Sequence, residues 1–284
     1  MKLNWQRNRR FSEFSTFGIG GPISFFAAIH TPEEMEEAFS FARKERLPFF
    51  ILGKGSNCLF ADRGFEGVVL LNRIDFIDWK DKRVVAGGGA SFSLLGFKAA
   101  SRGFKGLEFA AGIPASVGGA VFMNAGASGA ETQETLKNVF YLHGDGAKKI
   151  FKKGEIAFGY RSSSFQNMKG AILAAEFELE VDPKAREKQL AIIEERRQRQ
   201  PLKEQSAGCI FRNPISASSG ALIDGCGLKG FSVGGAAVSE IHANFFVNRG
   251  NATAQDVRTL IEIVQAKVFE QTNIRLETEI RMIG

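Results

Sequence analysis

The sequence is poor in the residues that build disulfide frameworks and metal sites. Its 284 residues include only three cysteines and three histidines. Cys58, Cys209 and Cys226 are odd in number and have no metal-ligand spacing, so we expect no disulfide framework and no metal site. This cysteine usage is typical of a reducing cytoplasm.

Long apolar segments are also missing. The chain has no run of the roughly 18 apolar residues that a membrane-spanning helix needs. The opening residues, MKLNWQRNRRFSEF, contain no apolar h-region, so we expect no signal peptide. Both absences predict a cytoplasmic protein without a membrane span.

Charge of one sign is only mildly in excess, with a net charge of +6. Basic residues concentrate at Arg7–Arg10 and at Arg196, Arg197 and Arg199, without interleaved aromatic residues. The sequence therefore gives little support to nucleic-acid binding, while attraction of phosphorylated small molecules is sufficient to explain the charge.

Familiar catalytic motifs are absent as well. There is no Walker A motif, no HExxH, and no Ser-His-Asp order in the chain. Gly87, Gly88 and Gly89 do not form a GxGxxG fingerprint, so a Rossmann site is not indicated.

What the chain does have is glycine in two concentrated patches. The stretch 106–129, GLEFAAGIPASVGGAVFMNAGASG, holds six glycines, six alanines and a single charged residue, Glu108. The run GKGSN at 53–57 follows the apolar segment 49–52 and indicates a strand that ends in a turn. Glycine is costly to order, so such patches indicate close approach of main chain to a large ligand, with N–H groups facing phosphate. Each patch alone also fits a tight turn with small-residue packing.

Apolar periodicity and capping residues predict five helices. Thr31, Pro32 and Glu34 form a capping box for the first, and Thr253 with Asp256 caps the last. The predicted helices span 32–46, 91–101, 182–199 (with Leu190, Ile192 and Ile193 as apolar contacts), 221–226, and one after Thr253 with a buried stripe of Val257, Leu260, Ile261, Val264 and Val268.

Alternating or continuous apolar runs predict the strands. They span 23–29, 49–52, 68–71, 84–86, 139–143, 148–151, 171–181, 209–212, 244–248 and an alternating tail at 274–282.

Three residues are candidates for chemistry. Arg161 lies in GYRSS, Cys209 in SAGCIFRNP, and Glu279 on the alternating tail. On spacing alone, they also fit a surface arginine in a turn, a small buried thiol and a solvated acid. His242 and Asn244 open a strand and equally fit ordinary polar residues at a strand edge.

Seven segments in order from Thr16 to Gly284 carry a family resemblance: TFGIGG, ILGKGSN, GLEFAAGIPASVGGAVFMNAG, FGYRSSSF, SAGCIFRNP, GLKGFSVGGAAVSEIHANFFVN and LETEIRMIG. Together they resemble the UDP-N-acetylenolpyruvoylglucosamine reductase (MurB) family, flavoenzymes of peptidoglycan precursor synthesis. The short link from Asn213 to Leu228 lacks an inserted tyrosine-bearing loop, so the chain is similar to the shorter, type II form.

The resemblance implies an α+β protein with an FAD-binding fold of the vanillyl-alcohol-oxidase (PCMH) type. Two FAD-binding subdomains, 1–58 completed by the strand 273–284, and 59–182, would precede an α+β substrate-binding domain at 183–272. The oligomeric state stays open, with a monomer favoured.

The implied reaction uses NADPH as co-substrate and non-covalent FAD, because no His or Cys lies within the long glycine-rich stretch. Hydride passes from the flavin N5 to C3 of the enolpyruvyl group, and a protein acid protonates C2. The residues implied to contact FAD are Gly53, Lys54, Gly55, Ser56, Asn57, Gly112, Ile113, Pro114, Gly118 and Gly119.

Three residues match the family's catalytic positions. Arg161 would stabilise the enolate that forms on the substrate carboxylate, and a protonated Glu279 would polarise the same carboxylate. Cys209 stands where the family usually has Ser and would donate the proton to C2. A thiol, with a reference pKa of roughly 8.5, remains mostly protonated at neutral pH.

The residues implied to bind the UDP-sugar are Tyr160, Arg197 or Arg199, Arg212, Asn213, His242 and Asn244. Two alternatives remain: a flavin oxidase on the same fold, and a nucleotide-sugar-binding protein without turnover.

Overall fold

The computed structural model describes residues 3–284, and six α-helices form within them. The predicted first subdomain and the N-terminal segment without a predicted signal peptide both begin at Met1, and Met1 and Lys2 lie outside the described residues. The helices are α1 Pro32–Lys44, α2 Phe92–Ser101, α3 Val117–Met123, α4 Ala185–Arg199, α5 Ser219–Gly225 and α6 Ala254–Thr272. None of them combines the length and apolar character that a membrane-spanning helix requires.

Side-chain caps begin the first and last helices, as predicted. The hydroxyl of Thr253 accepts from the Asp256 amide at 3.0 Å and the Asp256 carboxylate accepts from the Thr253 amide at 2.9 Å, so this capping box is complete. At α1 the Thr31 hydroxyl accepts from the Glu34 amide at 3.2 Å, but the Glu34 carboxylate accepts from His30 instead. The predicted box at Thr31 is therefore only half formed.

The strands are short, and most are antiparallel. They are β1 Arg9–Arg10, β2 Pro22–Ile29, β3 Phe49–Leu52, β4 Cys58–Phe60, β5 Phe65–Asn72, β6 Ile77–Lys80, β7 Arg83–Gly87, β8 Phe104–Lys105, β9 Gly126–Ala127, β10 Ala130–Glu131, β11 Leu136–His143, β12 Lys148–Lys152, β13 Phe158–Gly159, β14 Ser162–Ser163, β15 Gly170–Glu178, β16 Glu180–Val181, β17 Ser206–Cys209, β18 Ser232–Val233, β19 Ala236–Val238, β20 Phe245–Asn248 and β21 Arg281–Ile283.

Residue contacts divide the chain into two units. Of the described residues, the first comprises 3–7, 25–54 and 66–196, and the second comprises 8–24, 55–65 and 197–284. The predicted three-part division into 1–58 with 273–284, 59–182 and 183–272 stays a prediction.

The first unit is built on an antiparallel sheet in the order β12-β11-β15-β7-β6. Helices α2 and α3 bury apolar side chains against one side of it, among them Phe92, Leu95 and Val121. A second core joins α1 to β2 and β5, and β3 runs parallel to β5. These cores position the loops that follow β3 and α3.

The second unit has an antiparallel sheet in the order β17-β20-β19-β18, with α6 packed on it. The predicted stripe of α6 is confirmed, since all five of its residues are buried. The last strand, β21, pairs in parallel with β4, so the chain end returns to residues 58–60.

Three predictions about these elements are wrong. The strand predicted at 209–212 forms instead at Ser206–Cys209. The tail is not a strand from 274 to 282: only Arg281–Ile283 is, and Met282 is 42% exposed. Before that strand, the Glu277 carbonyl accepts from the Arg212 amide and the Glu279 amide donates to the Ile210 carbonyl, without a continuous ladder. In α4, the predicted contact residue Leu190 is exposed and its neighbour Gln189 is buried. The buried face of the helix is therefore displaced by one residue from the predicted face.

Candidate active site

Arg161 lies in the first unit, at the tip of a tight hairpin. Strands β13 and β14 pair through Phe158 with Ser163 and Gly159 with Ser162, which leaves Tyr160 and Arg161 as the turn. Arg161 has a φ of 54°, in the left-handed region that is costly for a residue with a side chain. Such strain persists only where the surroundings enforce it, and it concentrates at functional positions.

The surroundings of Arg161 are well defined. Its Nη2 donates to the Gly126 carbonyl at 2.9 Å, and its own carbonyl accepts from Gln166 Nε2 at 3.1 Å. The guanidinium carbon lies 4.9 Å from the centre of the Tyr160 ring, and Tyr160 is 46% exposed. A Cβ at Gly126 would lie 3.2 Å from Arg161 Nη1, so glycine at 126 leaves room for the guanidinium.

The loop after β3 meets the start of α3. A Cβ on Gly53 would lie 2.5 Å from Ser116 Oγ, the hydroxyl that caps α3 by accepting from the Gly119 amide. Further along this loop, the amides of Lys54, Gly55 and Ser56 donate to no acceptor among the residues that the structure describes. Successive amides without protein partners can bind an anion such as a diphosphate.

The glycine triplet at 87–89 and the glycines of the 106–129 stretch serve different purposes. A Cβ on Gly87, Gly88 or Gly89 would collide with a main-chain oxygen of a neighbouring segment of the chain, so packing requires glycine at these three positions. By contrast, Gly112 is exposed with a φ of 79°, and a Cβ on Gly119 would meet only Ser116 Oγ. Among the predicted cofactor glycines, protein packing thus leaves Gly112 and Gly119 unexplained, whereas a Cβ on Gly53 or Gly55 would lie 2.5 Å from a protein oxygen. The residues therefore fit a large bound cofactor.

Arg196 is not among the predicted site residues, although its neighbours Arg197 and Arg199 are. The three atoms nearest to a Cβ on Gly112 all belong to Arg196, the closest being Nε at 3.6 Å. Arg197 and Arg199 are exposed. Helical spacing could have found it, since Arg196 continues the inward face that begins at Ala185 and Gln189.

In the second unit, hydrogen bonds join three of the predicted site segments. The Glu279 amide donates to the Ile210 carbonyl at 2.7 Å, one residue after Cys209. The side-chain amide of Asn57 donates to the Glu279 carbonyl at 3.4 Å. A Cβ on Gly208, which has a φ of 76°, would lie 3.9 Å from the Ser56 carbonyl. The segments that carry Glu279, Cys209 and Asn57 are therefore adjacent.

Asn244 has a structural role that the sequence did not predict. It is buried, its Oδ1 accepts from the Phe211 amide at 2.9 Å, and its Nδ2 donates to the Phe211 carbonyl at 2.8 Å. Both ends of the amide are used to hold the segment that carries Cys209. Asn244 therefore supports the Cys209 segment, and its predicted contact with the sugar stays a prediction.

His242 is half-buried, and its Nδ1 accepts from the Asn244 amide at 3.2 Å. Burial lowers the pKa of His242, with a further lowering from Lys229. The imidazole is therefore neutral at pH 7, with its proton on Nε2, and it can donate one hydrogen bond.

Arg212 and Asn213 follow Cys209 along the chain. Asn213 Oδ1 accepts from the Ser219 amide at 3.0 Å. Arg212 Nε is buried without a hydrogen-bond partner among residues 3–284, and its guanidinium forms no ion pair there. Its charge is thus uncompensated by this part of the protein.

Comparison with known proteins gives the family. Residues 23–148 match the FAD binding domain, and residues 200–283 match the UDP-N-acetylenolpyruvoylglucosamine reductase, C-terminal domain. The UDP-N-acetylenolpyruvoylglucosamine reductase of Protochlamydia amoebophila (strain UWE25) is 50% identical over 280 residues, which cover 98% of this chain and 94% of that protein. The chain belongs to the UDP-N-acetylenolpyruvoylglucosamine reductase family.

Two further members of this family are similar along nearly the whole chain. The reductase of Chlamydia trachomatis serovar A is 46% identical over 98% of this chain and 96% of its own. The crystal structure of the reductase (MurB) from Thermus caldophilus matches with a TM-score of 0.87 and 36% identity over 100% of both chains. The predicted fold class, α+β with an FAD-binding fold of PCMH type and a further α+β domain, is confirmed, as is FAD as cofactor.

Proposed function

We propose that this protein reduces UDP-N-acetyl-enolpyruvoylglucosamine to UDP-N-acetylmuramate with NADPH, in the synthesis of peptidoglycan precursors. The product feeds cell wall biogenesis, on which cell shape and cell division depend. We further propose that the enzyme acts as a monomer in the cytoplasm. The observation that carries the proposal is the hydrogen-bonded arrangement of Asn57, the Cys209 segment and Glu279 in the second unit.

The cofactor residues proposed here are those of the two glycine patches. The amides of Lys54, Gly55 and Ser56 would hold the diphosphate of FAD, and Gly112, Gly118 and Gly119 would admit the rest of it close to main chain. FAD, when bound, supplies the carrier that takes hydride from NADPH and gives it to C3 of the enolpyruvyl group. We propose that Arg196, beside Gly112, adds a positive charge to this region.

The three catalytic residues have separate tasks. Arg161 provides the fixed cation that stabilises negative charge on the substrate carboxylate as C3 becomes saturated. Glu279, in its protonated form, donates a hydrogen bond to the same carboxylate. Cys209 gives its thiol proton to C2, so that the carbon–carbon double bond gains one hydride and one proton.

Substrate binding is proposed for the charged and polar side chains that the family resemblance implies. Arg212 is the favoured ligand of the UDP diphosphate, because its guanidinium forms no ion pair among residues 3–284 and it lies three residues after Cys209. His242 can donate from Nε2 to a sugar or phosphate oxygen. Tyr160, Asn213 and either Arg197 or Arg199 complete the proposed set.

An anaerobic spectroscopic experiment tests the proposal. Purified protein reconstituted with FAD should be yellow, NADPH should bleach it, and the enolpyruvyl UDP-sugar should restore the colour. UDP-N-acetylglucosamine, which lacks the enolpyruvyl group, is the matched control and should leave the flavin reduced. Reoxidation by air alone at the rate seen with substrate would instead indicate an oxidase, and failure to retain FAD would indicate a binding protein.

A further inference from the structure

Asn124 is a buried polar residue without a role in the proposed reaction or in the proposed binding of FAD and substrate. It ends α3 with a φ of 44° and is 0% exposed. Its Nδ2 donates to the Gly159 carbonyl at 3.0 Å and to Glu131 Oε2 at 2.8 Å, and its Oδ1 accepts from the Gln133 amide at 3.1 Å. Two donors and one acceptor of the amide are engaged, so its orientation is fixed.

The end of α3 is also tied to the segment that follows Arg161. The carbonyl of Phe122, in the last turn, accepts from Ser163 Oγ at 2.7 Å and from Gln166 Nε2 at 3.1 Å. Carbonyls in the last turn of a helix have no partner within the helix, so these side chains complete it. Since Gln166 Nε2 also donates to the Arg161 carbonyl, the turn is held on both sides.

The start of α3 carries Gly118 and Gly119, which are proposed to contact FAD. The helix has seven residues, which span about 10 Å at the usual rise. It therefore links the proposed cofactor residues at one end to the Arg161 hairpin at the other.

We propose that Asn124 is a positioning residue that holds the Arg161 turn against the end of α3, and so sets the place of the guanidinium. This inference rests on the proposed function for the role of Arg161. The strained φ of Arg161 needs several constraints to persist, and the bond from Asn124 to Gly159 supplies one directly before the turn.

The chemistry of residue 124 allows its two contributions to be separated. Asn124→Gly keeps access to the left-handed backbone but removes the amide. Asn124→Asp keeps the shape but sets carboxylate oxygen against the Gly159 carbonyl and the Glu131 carboxylate, both of which are acceptors. Asn273 is a matched control, because it ends α6 with a φ of 55° but is exposed.

The first test measures the two half-reactions separately. We expect Asn124→Gly and Asn124→Asp to bind FAD and to be reduced by NADPH at the wild-type rate. Reoxidation by the enolpyruvyl substrate should slow by roughly 10- to 100-fold, the scale of a misplaced catalytic group, while Asn273→Gly leaves it unchanged. Reoxidation at the wild-type rate, or equal slowing of both half-reactions, would overturn the proposal.

Coupling to Arg161 provides a second criterion. In an Arg161→Lys background, Asn124→Gly should slow reoxidation by less than a further threefold, because the guanidinium that Asn124 positions is already gone. A threefold change in rate corresponds to about half of the ~1.4 kcal/mol of a tenfold change. Fully multiplicative effects of the two substitutions would overturn the proposal.

The third measurement does not depend on the substrate, so it separates failure of this inference from failure of the proposed function. Trypsin cleaves after arginine, and a loosened turn should expose the Arg161–Ser162 bond. Mass spectrometry monitors cleavage at that bond. Because the loosened turn opens more often, we expect cleavage to be at least about tenfold faster in Asn124→Gly than in the wild type or in Asn273→Gly. Equal cleavage rates would overturn the proposal whatever substrate the enzyme turns over.

Discussion

The side-chain amide of Asn57 donates a hydrogen bond to the main-chain carbonyl of Glu279, with a nitrogen-to-oxygen distance of 3.4 Å. These residues are 222 positions apart, yet one ends a predicted cofactor loop and the other is the predicted acid. Because the Glu279 amide in turn bonds to Ile210, the segment around Glu279 is held between that loop and the residue after Cys209.

Cys209→Ser should retain substantial activity, because a hydroxyl can replace the thiol as proton donor. Cys209→Ala should accept hydride from NADPH but turn over substrate at least about 100-fold more slowly, because it has no proton donor at this position. Stopped-flow measurement of the two half-reactions checks this. Wild-type turnover by Cys209→Ala would remove Cys209 from the mechanism.

Alkylation gives an independent check on the same thiol. Burial raises the pKa of Cys58 to about 11, so that thiol stays protonated and unreactive at neutral pH. Iodoacetamide should therefore inactivate the wild type and Cys58→Ala alike but spare Cys209→Ser. Resistance of Cys58→Ala would assign the sensitivity to Cys58.

Glu279→Gln should keep the fold and the flavin spectrum, since the segment is held through main-chain atoms of residue 279 that the substitution preserves. The loss of the carboxyl should slow substrate-dependent reoxidation by about 100-fold, the usual effect of removing a group that stabilises developing charge. Glu277→Gln, an exposed neighbour, is the control. Unchanged reoxidation kinetics in Glu279→Gln would exclude the proposed role.

Gly126→Ala should displace the guanidinium of Arg161, because the added Cβ would lie 2.6 Å from the Ala130 carbonyl and 3.2 Å from Arg161 Nη1. We expect an increase in KM for the enolpyruvyl substrate and roughly a tenfold lower kcat/KM, while reduction by NADPH is unaffected. Gly154→Ala is the control, since a Cβ there would meet nothing within 4 Å. Equal kinetics in the two variants would contradict the prediction.

Tyr141→Phe should stabilise the protein. The Tyr141 hydroxyl is buried without a hydrogen-bond partner among residues 3–284, and burial raises its pKa because the charged form is disfavoured. Removing an unsatisfied polar group should raise the free energy of unfolding by about 1 kcal/mol in urea titrations. Tyr160→Phe, at an exposed hydroxyl, should change it little; destabilisation by Tyr141→Phe would show that the hydroxyl is satisfied after all.

Glu178 gives a pH dependence of stability. Hydrogen bonds from Lys137 and Lys82 lower its pKa to about 2. A lowered folded-state pKa means that the stabilisation is complete above the unfolded value of about 4.3. It is then lost as the pH falls toward about 2. The Tm of Glu178→Gln should therefore lie below that of the wild type at pH 7, and the difference should shrink below about pH 4.5. Glu66→Gln, at an exposed acid, should show no such trend; a difference independent of pH would contradict the assignment.

Local signals in the sequence were sufficient for the elements that depend on neighbouring residues. The caps at Thr31 and Thr253 and the buried stripe of α6 follow from spacings of three and four residues, which a helix always brings together. The glycine patches likewise marked where main chain is left bare, although only the structure separated Gly112 and Gly119 from Gly87–Gly89, whose side-chain space is filled by protein.

The contacts of the site depended on tertiary structure, because they join residues far apart in the chain. No residue spacing in the sequence predicts that Asn57 bonds to Glu279, that the side-chain amide of Asn244 bonds to Phe211, or that Arg161 takes a left-handed conformation. The sequence by itself determined which residue types are present and where five of the six helices within residues 3–284 form, while α3, inside the glycine-rich stretch, was not predicted. The tertiary structure decided which side chains remain available for chemistry, since a hydrogen-bonding group can serve a ligand only if no other segment has already used it.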